Sequence, residues 1–266
     1  MKIGIISDIH IDDSSDGTIV DAVIGAVREA GLSLLLMPGD FSCGWRSSLE
    51  AIERIEDGTG LRVLFVPGNH DLWNKLSPDE TPEFAQEQFE KHPGCLSGRV
   101  VTIDGWNFVG ETGWYDETLT EGRFTAEQIA EMNYGGRTWQ DSLFTRWNVS
   151  MIEKTAEYLK ALEARLGTLD PKRTIVLTHV IPRLEFSVQP PEGIWTYFNG
   201  LLGSARFGQL FAKAGVRAAV CGHVHYRKRF KADGVEWICP CLGTPDEWET
   251  TSAATEVGSA LSILEL

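Results

Sequence analysis

Aspartate and histidine recur in polar turns of this sequence, at a spacing suited to holding metal ions. Asp8 and His10 stand two residues apart in SDIH, and His223 and His225 stand two apart in GHVH. Because strand side chains alternate faces with a period of two, the members of each pair point the same way. Each pair can therefore bind one ion, or two adjacent ions. Oxygen and imidazole ligands together suit Mn²⁺, Fe or Zn²⁺ better than Ca²⁺ or Mg²⁺ alone.

Three further turns carry side chains of the same kinds. PGD ends at Asp40, PGNHD contains Asn69 and His70, and LTH ends at His179. The Pro-Gly pairs in the first two turns bend the backbone sharply and allow the polar side chains a close approach. Together, the five turns contain five of the six histidines of the chain. Only His92 lies elsewhere, at the predicted end of a helix. This clustering indicates a shared task.

The turns follow apolar runs that predict buried β-strands. Strands are predicted at 3–6, 32–37, 61–66, 100–103, 106–110, 174–178 and 216–221. Helical patterns occupy about 17–30, 46–57, 82–91, 148–166 and 204–214. The alternation predicts βαβ units and a mainly parallel sheet. Ligands of open α/β sheets bind beyond the carboxyl ends of the strands, so turns scattered in sequence should meet in one place.

The last third of the chain changes character. Segments 226–231, 235–239 and 259–264 are predicted to be consecutive strands, with Asp233-Gly234 as a hairpin turn. The aromatic, irregular stretch 111–146 is typical of an insertion or cap. No linker rich in proline or glycine divides the chain, so we expect a single domain over 1–266.

Composition narrows the classes of protein that the chain can belong to. The 266 residues carry a net charge of −14, which argues against the basic surface that nucleic acids require. An anionic substrate would also be repelled, unless metal ions reverse the charge locally. No apolar run approaches the roughly 18 residues of a membrane span. Acidic residues interrupt the apolar stretch that an N-terminal signal sequence would need. The five cysteines form no disulfide pattern. We therefore expect a cytoplasmic protein. The sequence leaves its oligomeric state open.

Taken in order, the motifs resemble those of the calcineurin-like metallophosphoesterases. They are DxH at 8–10, GD at 39–40, GNHD at 68–71, the histidine at 179 and GHxH at 222–225. The resemblance implies an α/β fold, a four-layer αββα sandwich of two mixed β-sheets flanked by helices, with a two-metal centre between the sheets. The matched positions imply seven metal ligands: Asp8, His10 and His225 for the first ion, Asn69, His179 and His223 for the second, and Asp40 as the bridge.

The family resemblance also implies an activity. Two metal ions, Mn²⁺ and/or Fe with Zn²⁺ as a further option, would generate a hydroxide that hydrolyses a phosphoester. His70 is not a ligand in the family and is the candidate catalytic residue, which would contact a phosphate oxygen or protonate the leaving group. Asn69 would face the substrate as well. The sequence departs from the family at Cys43, where many members carry the aspartate that orients this histidine, so the partner of His70 is left open.

Substrate specificity is expected to lie in loops. The loop 181–201 follows His179 directly, and its Trp195 and Tyr197 are the predicted substrate-wall residues. Compact size and an aromatic cap favour a small-molecule phosphoester. Two alternatives remain: a catalytically silent scaffold, which the full set of ligands argues against, and a nuclease, which the negative charge argues against. Arg46 would hold a phosphate oxygen or serve as a surface arginine.

Overall fold

Two β-sheets lie face to face and are flanked by helices in a computed structural model that describes residues 1–13 and 17–266. The strands of this described part are β1 (Lys2–Ile5), β2 (Leu34–Met37), β3 (Val63–Phe65), β4 (Val100–Ile103), β5 (Trp106–Glu111), β6 (Asn133–Tyr134), β7 (Arg137–Thr138), β8 (Thr174–Thr178), β9 (Ala218–Val220), β10 (Arg227–Ala232), β11 (Val235–Pro240) and β12 (Ser262–Glu265). The α-helices are α1 (Thr18–Ala30), α2 (Trp45–Thr59), α3 (Pro82–Lys91), α4 (Ala126–Ala130), α5 (Asp141–Phe144), α6 (Met151–Leu166), α7 (Trp195–Phe198), α8 (Ala205–Ala214) and α9 (Ala253–Ala260).

Both large sheets are mixed. The first has the order β12-β1-β2-β3, in which β1, β2 and β3 are parallel and β12 is antiparallel. The second has the order β10-β11-β9-β8-β5-β4, in which the four central strands are parallel and the two edge strands are antiparallel. The predicted sandwich of two mixed sheets is confirmed. The expected parallel pairing holds at the centre of each sheet. Helices join β1 to β2, β2 to β3, β5 to β8 and β8 to β9, whereas β10 lies between β9 and β11 in the chain.

Apolar side chains from both sheets fill the space between them. One buried cluster contains residues of β1, β2 and β3 together with residues of β5, β8 and β9: Ile3, Leu34, Leu64, Phe108, Ile175 and Val220. The intervening residues of the strands, such as Leu35 and Val176, belong to a second cluster with residues of the helices. The period-two alternation of strand side chains thus supplies both the inner layer and the layers beneath the helices.

The five predicted helices begin and end within three residues of their predicted limits. Side-chain caps fix the first turns of three of them, α3, α6 and α8. Ser150 accepts the backbone N–H of Glu153, whose carboxylate accepts the N–H of Ser150 in return, at the start of α6. Thr81 and Ser204 cap α3 and α8.

The C-terminal region differs from the prediction. The predicted strand over 259–264 is wrong before residue 262, because α9 precedes β12. The sequence of α9, AATEVGSA, is short and rich in small residues, so its apolar periodicity is weak. The helix begins at the Ser252 cap and packs against α1, a tertiary contact that no local pattern reveals.

Segment 111–146 contains α4, the β6–β7 ribbon and α5, and it joins β5 to α6. Its assignment as a cap or insertion on a single domain stays a prediction. Among the described residues, no helix combines the length and apolar character needed to cross a membrane.

Candidate metal centre

The polar turns meet at the carboxyl ends of strands from both sheets. Asp40 lies beyond β2, and it belongs to two groups of side chains whose ligand atoms lie within 4.8 Å of one another. The groups are Asp8, His10, Asp40 and His225, and Asp40, His179 and His223. A carboxylate shared by two donor groups is the arrangement that a bridging ligand requires.

Asn69 completes the second group. Its Oδ1 atom lies 2.9 Å from His179 Nε2 and 3.0 Å from His223 Nδ1, and these two nitrogens lie 3.1 Å apart. In the first group, Nε2 of His10 and Nε2 of His225 lie 3.0 Å apart. All seven predicted ligands are therefore brought together, with their donor atoms facing one another.

Hydrogen bonds on the far side of three imidazole rings fix which nitrogen faces the centre. The bonds run from His179 Nδ1 to Pro38 O (2.8 Å), from His223 Nε2 to Leu201 O (3.2 Å) and from His225 Nδ1 to Glu247 Oε2 (2.7 Å). An acceptor oxygen requires N–H on that nitrogen, so a neutral ring presents a lone pair on the other. This pattern of outer hydrogen bonds is typical of metal-binding histidines. The donor set therefore fits cations.

The backbone at the centre is strained. Nine non-glycine residues of the described chain have positive φ, and five of them are predicted ligands: Asp8 (55°), His10 (38°), Asp40 (53°), His223 (76°) and His225 (53°). Residues with side chains rarely adopt this conformation, and each case costs of order 1–3 kcal/mol. Its concentration at these residues indicates that the site, rather than the local sequence, imposes the geometry.

Glycines make the close approach of the turns possible. A Cβ atom at Gly68 would overlap the Asp40 carboxylate, and one at Gly39, where φ is 90°, would lie 2.5 Å from the Gly68 nitrogen. Asp71 then ties the two turns together. Its buried carboxylate accepts the backbone N–H groups of Asp40 at 2.8 Å and of Gly68 at 2.7 Å, and the Ser48 hydroxyl at 2.6 Å.

Electrostatics at the centre are dominated by Asp40. Burial alone would raise the pKa of Asp40, but His179 and His70 hold it well below its usual range. Burial alone would lower the pKa of His179, but Asp40 outweighs this effect and raises it to about 9. Their closest side-chain atoms, Asp40 Oδ2 and His179 Nε2, lie 3.3 Å apart. A buried anion surrounded by imidazoles favours a cation at this position.

His70 lies beside the ligands and is held by an aromatic ring. Its imidazole stacks on the Trp73 indole, with centroids 3.8 Å apart and planes at 23°. Its edge meets His10 at a centroid distance of 4.9 Å, and burial lowers the pKa of His70 to about 3. Trp73 thus orients a histidine for which Cys43 replaces the usual aspartate.

Two buried or partly buried carboxylates were missed by sequence reasoning. Asp141 accepts hydrogen bonds from Asn69 Nδ2 at 3.0 Å, from Trp73 Nε1 at 2.6 Å and from the Tyr115 hydroxyl at 3.0 Å. Glu247 orients His225. Neither residue stands at a strand end or in a recurring spacing, so no sequence signal marks them.

A cleft of about 400 Å³ opens beside the centre. Trp195 lines it and is 37% exposed. Tyr197 does not line it, which corrects the predicted substrate wall: it is 2% exposed, and its hydroxyl donates to Gln128 O at 2.7 Å. Residues two positions apart on a helix are rotated by about 200° around its axis, so the side chains of Trp195 and Tyr197 point in nearly opposite directions.

Arg46 also lies away from the cleft. Its guanidinium pairs with Glu80, with Nη2 and Oε1 2.6 Å apart, and covers the Trp45 ring. Arg46 is thus a surface arginine.

The sandwich fold and the convergent carboxylates and imidazoles define a metal-dependent hydrolase. The chain belongs to the calcineurin-like phosphoesterase family, whose model matches residues 1–227. It is accordingly a metal-dependent phosphoesterase. No curated protein matches the chain significantly in sequence.

Solved structures share the fold. A phosphopantetheinyl hydrolase from Mycobacterium tuberculosis is 18% identical and has a TM-score of 0.74, over 99% of this chain and 95% of that one. A dimetal phosphatase from Danio rerio is 16% identical, with a TM-score of 0.56 over 90% and 86% of the two chains. A protein from Thermus thermophilus is 12% identical, with a TM-score of 0.57 over 98% and 97%. At these identities the likeness shows the fold alone.

Proposed function

We propose that the protein hydrolyses a small-molecule phosphoester at a centre of two metal ions. The observation that carries this proposal is the position of Asp40, whose carboxylate belongs to both groups of ligand atoms. One ion would be held by Asp8, His10 and His225, and the other by Asn69, His179 and His223, with Asp40 between them. Mixed oxygen and imidazole donors favour Mn²⁺ and/or Fe, with Zn²⁺ as a further option.

The bound ions would supply the positive charge that neutralises phosphate oxygens and activates water for attack on phosphorus. The protein supplies the positioning. Asn69 presents Oδ1 to the centre because its Nδ2 is held by Asp141. His70 lines the cleft next to Asp40 and would donate an N–H to a phosphate oxygen or to the departing oxygen.

A small substrate is supported by the shape of the site. A cleft of about 400 Å³ matches the pockets that enclose drug-sized molecules. The net charge of −14 opposes binding of nucleic acid. A cytoplasmic location belongs to the same proposal and is supported by the five free cysteines.

The proposal is tested by comparing Asp40→Asn with His70→Asn. Both proteins would be stripped with a chelator and reloaded with Mn²⁺, and metal content would be measured by mass spectrometry beside hydrolysis of bis(p-nitrophenyl) phosphate and p-nitrophenyl phosphate. Asp40→Asn should lose metal and lower the rate by more than about a hundredfold, since it removes several kcal/mol of charge stabilisation. His70→Asn should keep its metal and lose roughly 10²–10³ in rate, the usual cost of removing one positioned hydrogen-bond donor to the charge that develops on oxygen.

Two results would contradict the proposal. One is a loaded wild-type protein that hydrolyses neither ester. The other is an Asp40→Asn protein with wild-type metal content and activity. Faster cleavage of single-stranded DNA than of either ester would favour the nuclease alternative.

A further inference from the structure

Three indole rings stand around the cleft, and each comes from a different segment. Trp73 follows the turn after β3, Trp139 belongs to segment 111–146, and Trp195 begins α7. Val188 and Leu202 add apolar surface. Flat apolar groups therefore form a large part of the wall of the cleft, alongside the polar side chains of the metal centre.

The indoles are held in place from behind. Trp73 donates its Nε1–H to Asp141 and packs on Phe144, with centroids 5.1 Å apart. Trp139 stacks on Phe198 at 5.8 Å, and Trp195 contacts the same ring edge-on at 6.5 Å. A wall fixed in this way loses little conformational entropy when a ligand binds.

The charges around the cleft are the opposite of those that a polyphosphate needs. Among the described residues, no lysine or arginine lines the cleft, whereas Asp40, Asp141 and Glu247 do. One phosphate group could be neutralised at the metal centre. Any further phosphate would lie against apolar rings or carboxylates, where an unpaired charge is costly.

We propose that the substrate carries a single phosphate group esterified to an aromatic or heteroaromatic ring system, which packs on the indoles of Trp139 and Trp195. This inference rests on the proposed function, because it places the phosphate at the metal ligands. Stacking of offset rings and exclusion of water supply the binding free energy for the ring.

Binding of phosphonates tests the inference without relying on hydrolysis. Benzylphosphonate and methylphosphonate carry the same charged group and differ by one ring, and tripolyphosphate carries additional charges. Their dissociation constants would be measured by calorimetry on the Mn²⁺-loaded protein. We expect benzylphosphonate to bind roughly tenfold more tightly than methylphosphonate, as one buried ring contact provides, and tripolyphosphate to bind more weakly than benzylphosphonate.

Substitution of the indoles should remove this preference. In Trp195→Ala the affinity ratio of the two phosphonates should fall toward one, and the half-exposed position of this residue leaves the core intact. Trp139→Ala provides a second variant with the same expectation. Trp106→Ala is the matched control, because Trp106 lies at the start of β5 and does not line the cleft, and it should keep the wild-type ratio.

Equal affinity for both phosphonates, tighter binding of tripolyphosphate, or an unchanged ratio in both Trp195→Ala and Trp139→Ala would overturn the inference. Failure of the proposed function gives a different result. A protein that prefers benzylphosphonate but hydrolyses neither p-nitrophenyl ester refutes the phosphoesterase proposal alone. A protein that hydrolyses them without preferring the ring refutes this inference alone.

Discussion

Asp141 receives hydrogen bonds from three side chains around the metal centre. The bond from Asn69 Nδ2 decides which end of that amide faces the histidines, and the bond from Trp73 fixes the ring on which His70 stacks. A single buried carboxylate from segment 111–146 thus orients one candidate ligand and the wall behind the candidate catalytic residue. We therefore expect it to act as a positioning residue.

Replacing Asp141 with alanine should therefore weaken metal binding. The freed Asn69 amide can rotate, so its oxygen no longer points reliably at His179 and His223. We expect a loss of about 10–100-fold in affinity for the weaker-bound Mn²⁺ ion, the usual effect of removing an outer hydrogen-bond partner. Titration of Mn²⁺ followed by electron paramagnetic resonance measures this affinity directly.

Two further variants serve as a partial rescue and as a control for that experiment. Asp141→Asn keeps an acceptor oxygen and should recover part of the lost affinity. Asp57→Ala removes an exposed carboxylate on α2 and serves as the matched control, with no expected change. Wild-type affinity in Asp141→Ala would show that Asn69 needs no such support.

Helix α6 is joined to the second sheet by a buried ion pair. Arg165 lies near the end of the helix and pairs with Glu111 at the end of β5. Its guanidinium also donates to the carbonyl oxygens of Leu96 and Arg99, both at 3.1 Å. The Glu111 side chain is 4% exposed, so its charge depends on this partner.

Arg165→Ala should destabilise the protein by about 3–5 kcal/mol, because it leaves a buried carboxylate and several carbonyl groups unpaired. Chemical denaturation measures the loss. Adding Glu111→Gln should restore part of the stability by removing the isolated charge. Lys160→Ala on the exposed face of α6 is the control. A loss in Arg165→Ala no larger than in this control would contradict the interpretation.

A second contact joins α2 to the end of α3 and to β3. Glu56 accepts the backbone N–H of Val63 at 2.8 Å, and its Oε2 lies 3.5 Å from His92 Nε2. Burial alone would raise the pKa of Glu56, but the hydrogen bonds from His92 and Val63 outweigh this effect. The pKa of Glu56 in the folded state therefore lies below its ordinary value. The stabilisation is therefore present above the unfolded pKa and is lost as the pH falls through the folded value.

Glu56→Gln should accordingly be less stable than the wild type at pH 6 to 7, by less than about 1 kcal/mol for a partly exposed pair. This difference in stability should shrink as the pH falls below about 4, because Glu56 is then protonated and as neutral as the glutamine that replaces it. Denaturant unfolding across this pH range provides the measurement. Glu53→Gln, exposed on the same helix, should show no such pH dependence, and a difference that grows in acid would refute the assignment.

Over the whole molecule, the metal centre lies where both sheets end. The candidate ligands come from turns after β1, β2 and β3 in one sheet and after β8 and β9 in the other. A cation held there links the two layers and offsets buried carboxylates in a chain of net charge −14. Metal binding should thus be coupled to the stability of the entire fold.

Removal of metal should lower the melting temperature and abolish hydrolysis reversibly. Mn²⁺ at a hundred times its dissociation constant stabilises the folded state by about 2.7 kcal/mol, since it binds the native protein alone. Scanning calorimetry before and after chelation checks this value. Asp40→Asn, which lacks the shared ligand, should melt at a temperature independent of Mn²⁺. A metal-free wild type with an unchanged melting temperature would show that the site is not coupled to folding.

The sequence by itself predicted buried strands whose polar turns meet at one edge, and its resemblance to the metallophosphoesterases implied the sandwich and the seven candidate ligands. The first prediction depends on local rules: strand side chains alternate with a period of two, and polar turns follow buried strands at a common edge. These rules need no knowledge of loop conformation, so Asp8, Asp40 and His225 could be placed together although they are distant in the chain.

Only the tertiary structure decided what supports and surrounds the ligands. Asn69 and Asp141 are 72 residues apart, and their contact depends on the path of segment 111–146. The same holds for Glu247 beside His225, for Trp73 beneath His70, and for the inward orientation of Tyr197. Hydrogen bonds and ring contacts between loops depend on three-dimensional packing rather than on a sequence period, so they could be read only from the folded chain.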